Sequence, residues 1–270
     1  MKSVGIYFRK SNAAQWGSVD DIISLFTVRN TACKVVNDVA DLEGVEVLMV
    51  FGGDGTILKM AAACALRGIK IIGVNYGHTG FLAEFEPERM EDAVELVCSE
   101  RYDVRQCSML QISFKGKTYY ALNDLVIQRC TSGNMFSNTI SLRAAIDGSV
   151  VDNYTADGLI VSTPTGSTAY SLAAGGSVLT PDIGAFIMTP VCAHSLHSRP
   201  VVYSDRSVLS IVRTDSRGAV TVVVDGVAVG CDCDIGHIEV KKADKKVSFI
   251  TRYDTDFFNK LLIKLNIWSK

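Results

Sequence analysis

The stretch Val45 to Thr56, VEVLMVFGGDGT, constrains the fold more than any other part of the chain. Six of the seven residues from Val45 to Phe51 are apolar, several of them β-branched or aromatic, which suits a strand buried on both faces of a parallel sheet. Gly52, Gly53, Asp54, Gly55 and Thr56 end the run, and glycines there let the backbone turn sharply and approach a ligand closely. Ile57 to Leu66 is rich in helix formers, and Gly68 stands where a helix commonly ends. Strand, glycine turn and helix in this order bind phosphate, because backbone N–H groups converge at the helix start. A carboxylate in such a loop repels phosphate, so Asp54 is expected to bind metal or to take a proton from a nucleophile. The competing reading is a helix cap or a local turn hydrogen bond.

The flanking segments extend this unit into an open sheet. Ser3 to Phe8, Ala32 to Val36 and Lys70 to Val74 read as strands, and Val19 to Val28 reads as a helix. Asn75 to Leu82 is a second glycine-bearing loop, leaving the sheet at the same edge as Gly52, where ligands of such sheets bind. Pro87 to Arg101 is predicted as a helix, acidic at its start and basic at its end. From about Asp103 the texture changes to alternating runs and tight turns. Hairpins are expected around Lys115 to Lys117 and around Asp147-Gly148, with further strands up to Val247 to Arg252. The closing stretch Asp256 to Trp268 is amphipathic and needs a partner surface. The expected architecture is α/β plus mainly β. A Rossmann-like open α/β sheet domain spans 1–100 and is completed by a helix at 254–270 packing back on it; a β-rich, sandwich-like domain spans 101–253.

Composition removes several function classes. A net charge of −2 over 270 residues, with the signs mixed, offers no basic stripe for nucleic acid. The longest apolar runs fall short of a membrane span and Met1 leads into a strand pattern, so a cytoplasmic protein without membrane partners is expected. Of the eight cysteines, Cys33, Cys64, Cys98, Cys107, Cys130 and Cys192 read as small buried hydrophobes. Cys231 and Cys233 have the wrong spacing for a zinc knuckle.

The second chemically loaded stretch is Asp157 to Pro181, DGLIVSTPTGSTAYSLAAGGSVLTP. A short strand runs into hydroxyls at Thr163, Thr165, Ser167 and Thr168, and then into a small-residue helix near Ala169. Hydroxyls and free backbone donors at a helix start suit a polar ligand, and Tyr170 can stack on a base. The plainer alternative is a capped helix with Tyr170 in the core.

Taken together, GGDGT, Asn123-Asp124, Asp157-Gly158 with TPTGSTAYSLAAGG, and Asp225-Gly226 resemble the NAD kinase family of bacterial type. Gly80 to Leu82 (GFL), His194 to Pro200 (HSLHSRP) and the terminal KLLIKLNIW extend the resemblance over nearly the whole chain. Lipid kinases and phosphofructokinases share loops like GGDGT, whereas the long TPTGSTAYSLAAGG segment is specific. The resemblance implies transfer of the γ-phosphoryl of ATP to the 2′-hydroxyl of the adenosine ribose of NAD, giving NADP. It makes Asp54 the base, and Gly52, Gly53, Gly55 and Thr56 phosphate contacts. Mg²⁺ or another divalent cation would be held by the phosphates. Lys59 either reaches back to those phosphates or is a solvated helix lysine. The resemblance makes residues 101–253 the NAD-binding domain, with a pocket formed by Asn123, Asp124, Asp157, Thr168, Ala169, Tyr170, Ser171, Leu172 and Ala173. Asn138, Thr155 and Cys192 fall at further contact positions. Asp124 stands where the family usually has glutamate, and Val227 where it usually has a polar residue. Family members form homodimers or homotetramers. Two rivals remain: a lipid or sugar kinase with a GGDGT loop, which has no need of TPTGSTAYSLAAGG, and a non-catalytic NAD(P) sensor, which has no need of Asp54.

Overall fold

The computed structural model describes residues 3–8, 19–75, 80–130, 139–216, 218–252 and 257–268. The chain divides into two units, Met1–Cys107 with Lys246–Lys270, and Ser108–Lys245.

In the first unit, β1 (Ser3–Phe8), β2 (Ala32–Val36), β3 (Val47–Phe51), β4 (Lys70–Val74), β5 (Asp103–Cys107) and a closing strand, Val247–Thr251, form one sheet. Its order is β2, β1, β3, β4, closing strand, β5. Every pairing is parallel except that of the closing strand with β5. β3 is buried at each position, as its unbroken apolar run requires, because helices cover both faces of the sheet. α1 (Val19–Thr27) presses Ile22 and Phe26, and α3 (Met90–Ser99) presses Ala93, Val94 and Val97, onto the face bearing Val4, Ile6, Val47, Met49 and Phe51. α2 (Asp54–Arg67) lies on the opposite face and ends at Gly68, which is left-handed at φ 73°. A Cβ on Gly73 of β4 would stand 2.7 Å from Ile57 Cδ1, so that glycine lets α2 seat closely. α5 (Phe257–Trp268) belongs to this unit: the Phe257 ring lies 6.2 Å from that of Phe81, and Lys260 pairs with Glu84.

The first unit differs from the sequence expectation at its third helix and at two strands. The predicted helix over 87–101 divides into a 3-10 turn, Pro87–Arg89, followed by α3, with Pro87 in the opening turn where its missing N–H costs nothing. β5 and the run at Val247, both expected in the β-rich region over 101–253, instead join the first sheet, with the run at Val247 inserted between β4 and β5.

The second unit holds two six-stranded antiparallel sheets. One contains β6 (Leu110–Phe114), β7 (Lys117–Ala121), β9 (Ile140–Ile146), β10 (Ser149–Ala156), β14 (Leu209–Arg213) and β17 (His237–Lys242), in the order β10, β9, β14, β17, β6, β7. The other contains β8 (Asp124–Arg129), β11 (Gly158–Ser162), β12 (Ala185–Val191), β13 (Val201–Ser204), β15 (Val220–Val224) and β16 (Val227–Asp232), in the order β13, β12, β11, β8, β15, β16. Alternate residues face inward, so Leu110, Ile112 and Phe114 meet Leu125, Leu159, Phe186 and Val222 in one core. Lys115-Gly116 and Asp147-Gly148 make the expected hairpin turns, with both central φ angles positive, and Asp225-Gly226 makes a third joining β15 to β16. The central strand β12 escaped the sequence reading because Pro190 argues against an interior strand.

Among the described residues, no helix is long and apolar enough to cross a membrane. All eight cysteines are thiols; Cys64 and Cys107 are buried, but Cys192 is exposed, against expectation, because it sits just past β12 at φ 48°. Truncating Phe26, fully buried beneath α1, is expected to cost about 3–5 kcal/mol. Urea unfolding of Phe26→Ala checks this, and a change under about 1 kcal/mol would contradict the packing described.

Candidate functional site

The glycine turn leads directly into α2, so Asp54 is the first residue of that helix, with Gly53 as its cap position. The Asp54 carboxylate reaches across to the loop beyond β4. Phe81 N–H donates to Oδ2 at 2.8 Å and Leu82 N–H to Oδ1 at 3.1 Å. Gly80 allows this, since a Cβ there would lie 2.0 Å from Oδ1. Each oxygen has two lone pairs, so the Phe81 and Leu82 N–H groups orient the carboxylate without by themselves exhausting its accepting capacity. Gly52, at φ 152°, donates to Val74 O at 3.0 Å, and a Cβ on it would stand 2.4 Å from Thr56 Oγ1. Added Cβ atoms on Gly53 and Gly55 meet nothing within 4 Å, so the backbone there borders open space. Thr56 is buried and Lys59 exposed. Five residues along the helix places Lys59 roughly 140° around from Asp54, away from the turn.

In the second unit, Asn123 and Asp124 stand at the start of β8, on a turn held by a residue whose role the sequence reading did not assign. The Asp225 carboxylate accepts the N–H groups of Leu122, Asn123 and Asp124 at 2.7, 2.8 and 3.1 Å. The signal was present, because aspartate followed by glycine is the preferred pair for a two-residue hairpin turn. Gly166 packs on the same turn, where a Cβ would come within 2.1 Å of Asn123 O. Thr163 closes the arrangement, its N–H donating to Asn123 O and its hydroxyl to Leu122 O. Burial pushes the Asp124 carboxyl up to about 7, with the nearby Asp225 charge adding to the rise. Burial also raises Asp225, opposed by its three backbone donors.

The hydroxyls of the TPTGSTAYSLAAGG segment are largely committed within the fold. Ser167 Oγ donates to Pro164 O, Thr168 Oγ1 donates to Thr165 O, and Ser171 Oγ shares a hydrogen bond with Thr189 Oγ1. These bonds brace a 3-10 turn, Gly166–Thr168, and the short α4 (Tyr170–Ala173). Tyr170 is 43% exposed, so its ring is available to a ligand and is not in the core. Ala169, Leu172 and Ala173 complete this short element.

Asp157, Thr155 and Cys192 gather at the opposite end of β11. Asp157 pairs with Arg129 through Oδ1 and Nε at 3.1 Å, Thr155 O accepts His194 N–H at 2.9 Å, and Cys192 follows β12. The six-residue step from Asp157 to Thr163 along this strand spans about 20 Å. The structure therefore collects Asn123, Asp124 and the 168–173 segment at one end of the sheet, and Thr155, Asp157 and Cys192 at the other. Asn138 lies outside the described residues.

A glycine turn with a clamped carboxylate and a sandwich bearing a braced small-residue turn define a nucleotide-binding protein of two units. Comparison with known proteins narrows this class. Residues 8–102 match the model of the ATP-NAD kinase N-terminal domain, and residues 122–252 that of the ATP-NAD kinase C-terminal domain. The NAD kinase of Koribacter versatilis is 42% identical over 231 residues, covering 83% of this chain and 79% of that protein. That of Caldicellulosiruptor saccharolyticus is 31% identical over 263 residues, covering 97% of this chain and 98% of that protein. A yeast NADH kinase solved with NADH has a TM-score of 0.80 at 24% identity, covering 100% of this chain and 89% of that one. An Archaeoglobus fulgidus NAD kinase solved with ATP has a TM-score of 0.78 at 24% identity, covering 97% and 99%. The two solved structures establish the shared fold, and the family models with the curated relatives establish descent: the chain belongs to the ATP-NAD kinase family.

Asp124 gives a pH test. In the unfolded chain its carboxyl ionises near 3.8, and in the folded protein near 7. Between these values the folded state keeps a proton that the unfolded chain has lost, so this group's contribution is complete at low pH and is lost as pH rises through 7. Asp124→Asn is therefore expected to melt above wild type at about pH 8, with the gap closing by about pH 4. A gap independent of pH in calorimetric melts would contradict the buried-carboxylate assignment.

Proposed function

We propose that the chain transfers the γ-phosphoryl group of ATP to the 2′-hydroxyl of the adenosine ribose of NAD, with Asp54 as the group that receives the hydroxyl proton. The enzyme is an NAD kinase; the lipid or sugar kinase and the non-catalytic sensor are not favoured. The observation that carries the assignment of Asp54 is its clamped carboxylate, fixed by Phe81 and Leu82 N–H groups with Gly80 pressed against it. A ribose hydroxyl is a weak nucleophile, and a positioned carboxylate guides its proton away as the phosphoryl group arrives. Gly52, Gly53 and Gly55 serve as backbone neighbours of the ATP phosphates. Asn123, Asp124 and Tyr170 serve the adenosine of NAD: the amide addresses the base, the carboxylate accepts from ribose hydroxyls and the phenol ring stacks. Asp157 addresses the nicotinamide end. A divalent cation enters this reading as the counter-ion of the ATP phosphates. Among the described residues no three Asp, Glu, His or Cys side chains cluster to hold one, so no residue is assigned to it. The reading extends to a cytoplasmic homodimer or homotetramer, which light scattering would resolve.

NADP formation from NAD, ATP and Mg²⁺ tests the function, with NAD binding followed by calorimetry. Wild type is expected to make NADP; Asp54→Asn is expected to bind NAD but to lose about 10²- to 10⁴-fold in kcat. NAD binding without turnover in folded wild type would instead favour the sensor. Gly80→Ala, which drives a methyl into Asp54 Oδ1, is expected to fall in kcat as well, and full activity in that variant would contradict the clamp geometry.

A further inference from the structure

The segment from Gly80 to Phe85 supplies both backbone donors to Asp54, so whatever fixes this segment fixes the carboxylate. One anchor is the sheet: Glu84 N–H and Phe85 N–H donate to Gly73 O at 3.0 and 3.2 Å, and Phe85 O accepts Asn75 N–H at 2.7 Å. The other anchor comes from the far end of the chain. The Glu84 side chain, only 3% exposed, accepts Arg252 N–H at 3.3 Å through Oε1 and the Lys260 ammonium at 2.6 Å through Oε2. On the same helix, the Phe257 ring sits against Phe81, whose N–H holds Asp54.

We propose that Lys260 is a positioning residue for phosphoryl transfer: by pairing with Glu84 it holds the Phe81 and Leu82 peptide groups where they clamp Asp54. The proposal rests on the reading of Asp54 as the base. A carboxylate as buried as Glu84 needs a paired charge. Without Lys260, the Glu84 carboxylate loses the cation that holds Oε2 and turns from its place, which loosens the backbone two residues from Leu82 N–H. Displacing a reacting group by about 1 Å can cost about 10²-fold in rate, so a loosened clamp reaches the chemistry without removing any group that touches substrate.

The test is a cycle of kcat and KM for NAD in wild type, Lys260→Met, Asp54→Asn and the double variant, with thermal melts confirming that each is folded. Lys260→Met is expected to lose about 10- to 100-fold in kcat with KM for NAD little changed. Lys260→Arg, which keeps the charge, is expected to recover most of the rate. The double variant is expected to be no slower than Asp54→Asn alone, because Lys260 acts only through Asp54. Losses that multiply would overturn the proposal by making the effect independent of Asp54. Wild-type kcat in Lys260→Met beside a slow Asp54→Asn would overturn it and leave the base assignment standing. Wild-type kcat in Asp54→Asn would overturn both. If Lys260→Met fails to fold, Lys260→Ala, which also removes the ammonium but leaves room for water beside Glu84, replaces it in the same cycle with the same outcomes.

Discussion

The parallel pairing of β3 with β4 decides where the first unit can do chemistry. Because the two strands run the same way, both loops leave the sheet at one edge, and Gly52 N–H bonded to Val74 O holds the two loop bases together. Asp54 starts a helix whose amino end carries partial positive charge, and the neighbouring loop presents two further donors to its carboxylate. The geometry tolerates little change. Gly52 cannot carry a Cβ because of Thr56, and Gly80 cannot carry one because of Asp54 itself. A packed interior transmits such collisions, so the glycines are as much a part of the site as the carboxylate they admit.

The second unit reaches its chemistry by another route. Two antiparallel sheets share one apolar core, and the polar residues are left to the strand ends and turns. Asp225 shows how such a turn is fixed: its part-buried carboxylate takes three successive N–H groups, so Asn123 and Asp124 stand on a fixed backbone. Burial of the Asp124 carboxyl, with the nearby Asp225 charge adding to it, makes Asp124 hold its proton to an unusually high pH. Ser171 and Thr189, Ser167 and Pro164, and Thr168 and Thr165 fix the neighbouring turn in the same way, leaving Tyr170 outside.

Much of this was legible from residues whose constraint is local. The unbroken apolar run of β3, the glycine turn, the helix formers after it and the Gly68 stop all declare themselves within a dozen or so neighbours, and each took the expected form. The hairpins at Lys115-Gly116 and Asp147-Gly148 were equally plain, because turn chemistry is set by two residues. Pairings across long sequence separations were not legible. Nothing in the run at Val247 says that it belongs between β4 and β5, and Pro190 disguises a central strand. Cys192 looked like a buried hydrophobe and proved exposed, since exposure depends on what packs above a residue and not on its type.

Read alone, the residues reveal the two classes of architecture, the glycine turn, the hydroxyl-rich segment after β11 and the family they resemble. Each depends on backbone propensity or on motif length, and both are local. Which of the candidate residues share a place follows from the packing of distant segments. That packing put Asp157 and Asn123 at opposite ends of the paired strands β11 and β8, committed the hydroxyls of Ser167, Thr168 and Ser171 to internal bonds, and set Asp225 against the Asn123 turn and Lys260 against Glu84. Those outcomes follow from hydrogen-bond satisfaction in buried surroundings, where each polar group must find a partner. The partners lie roughly a hundred or more residues away, at Asp225 for Asn123 and at Lys260 for Glu84, and no local pattern carries that distance.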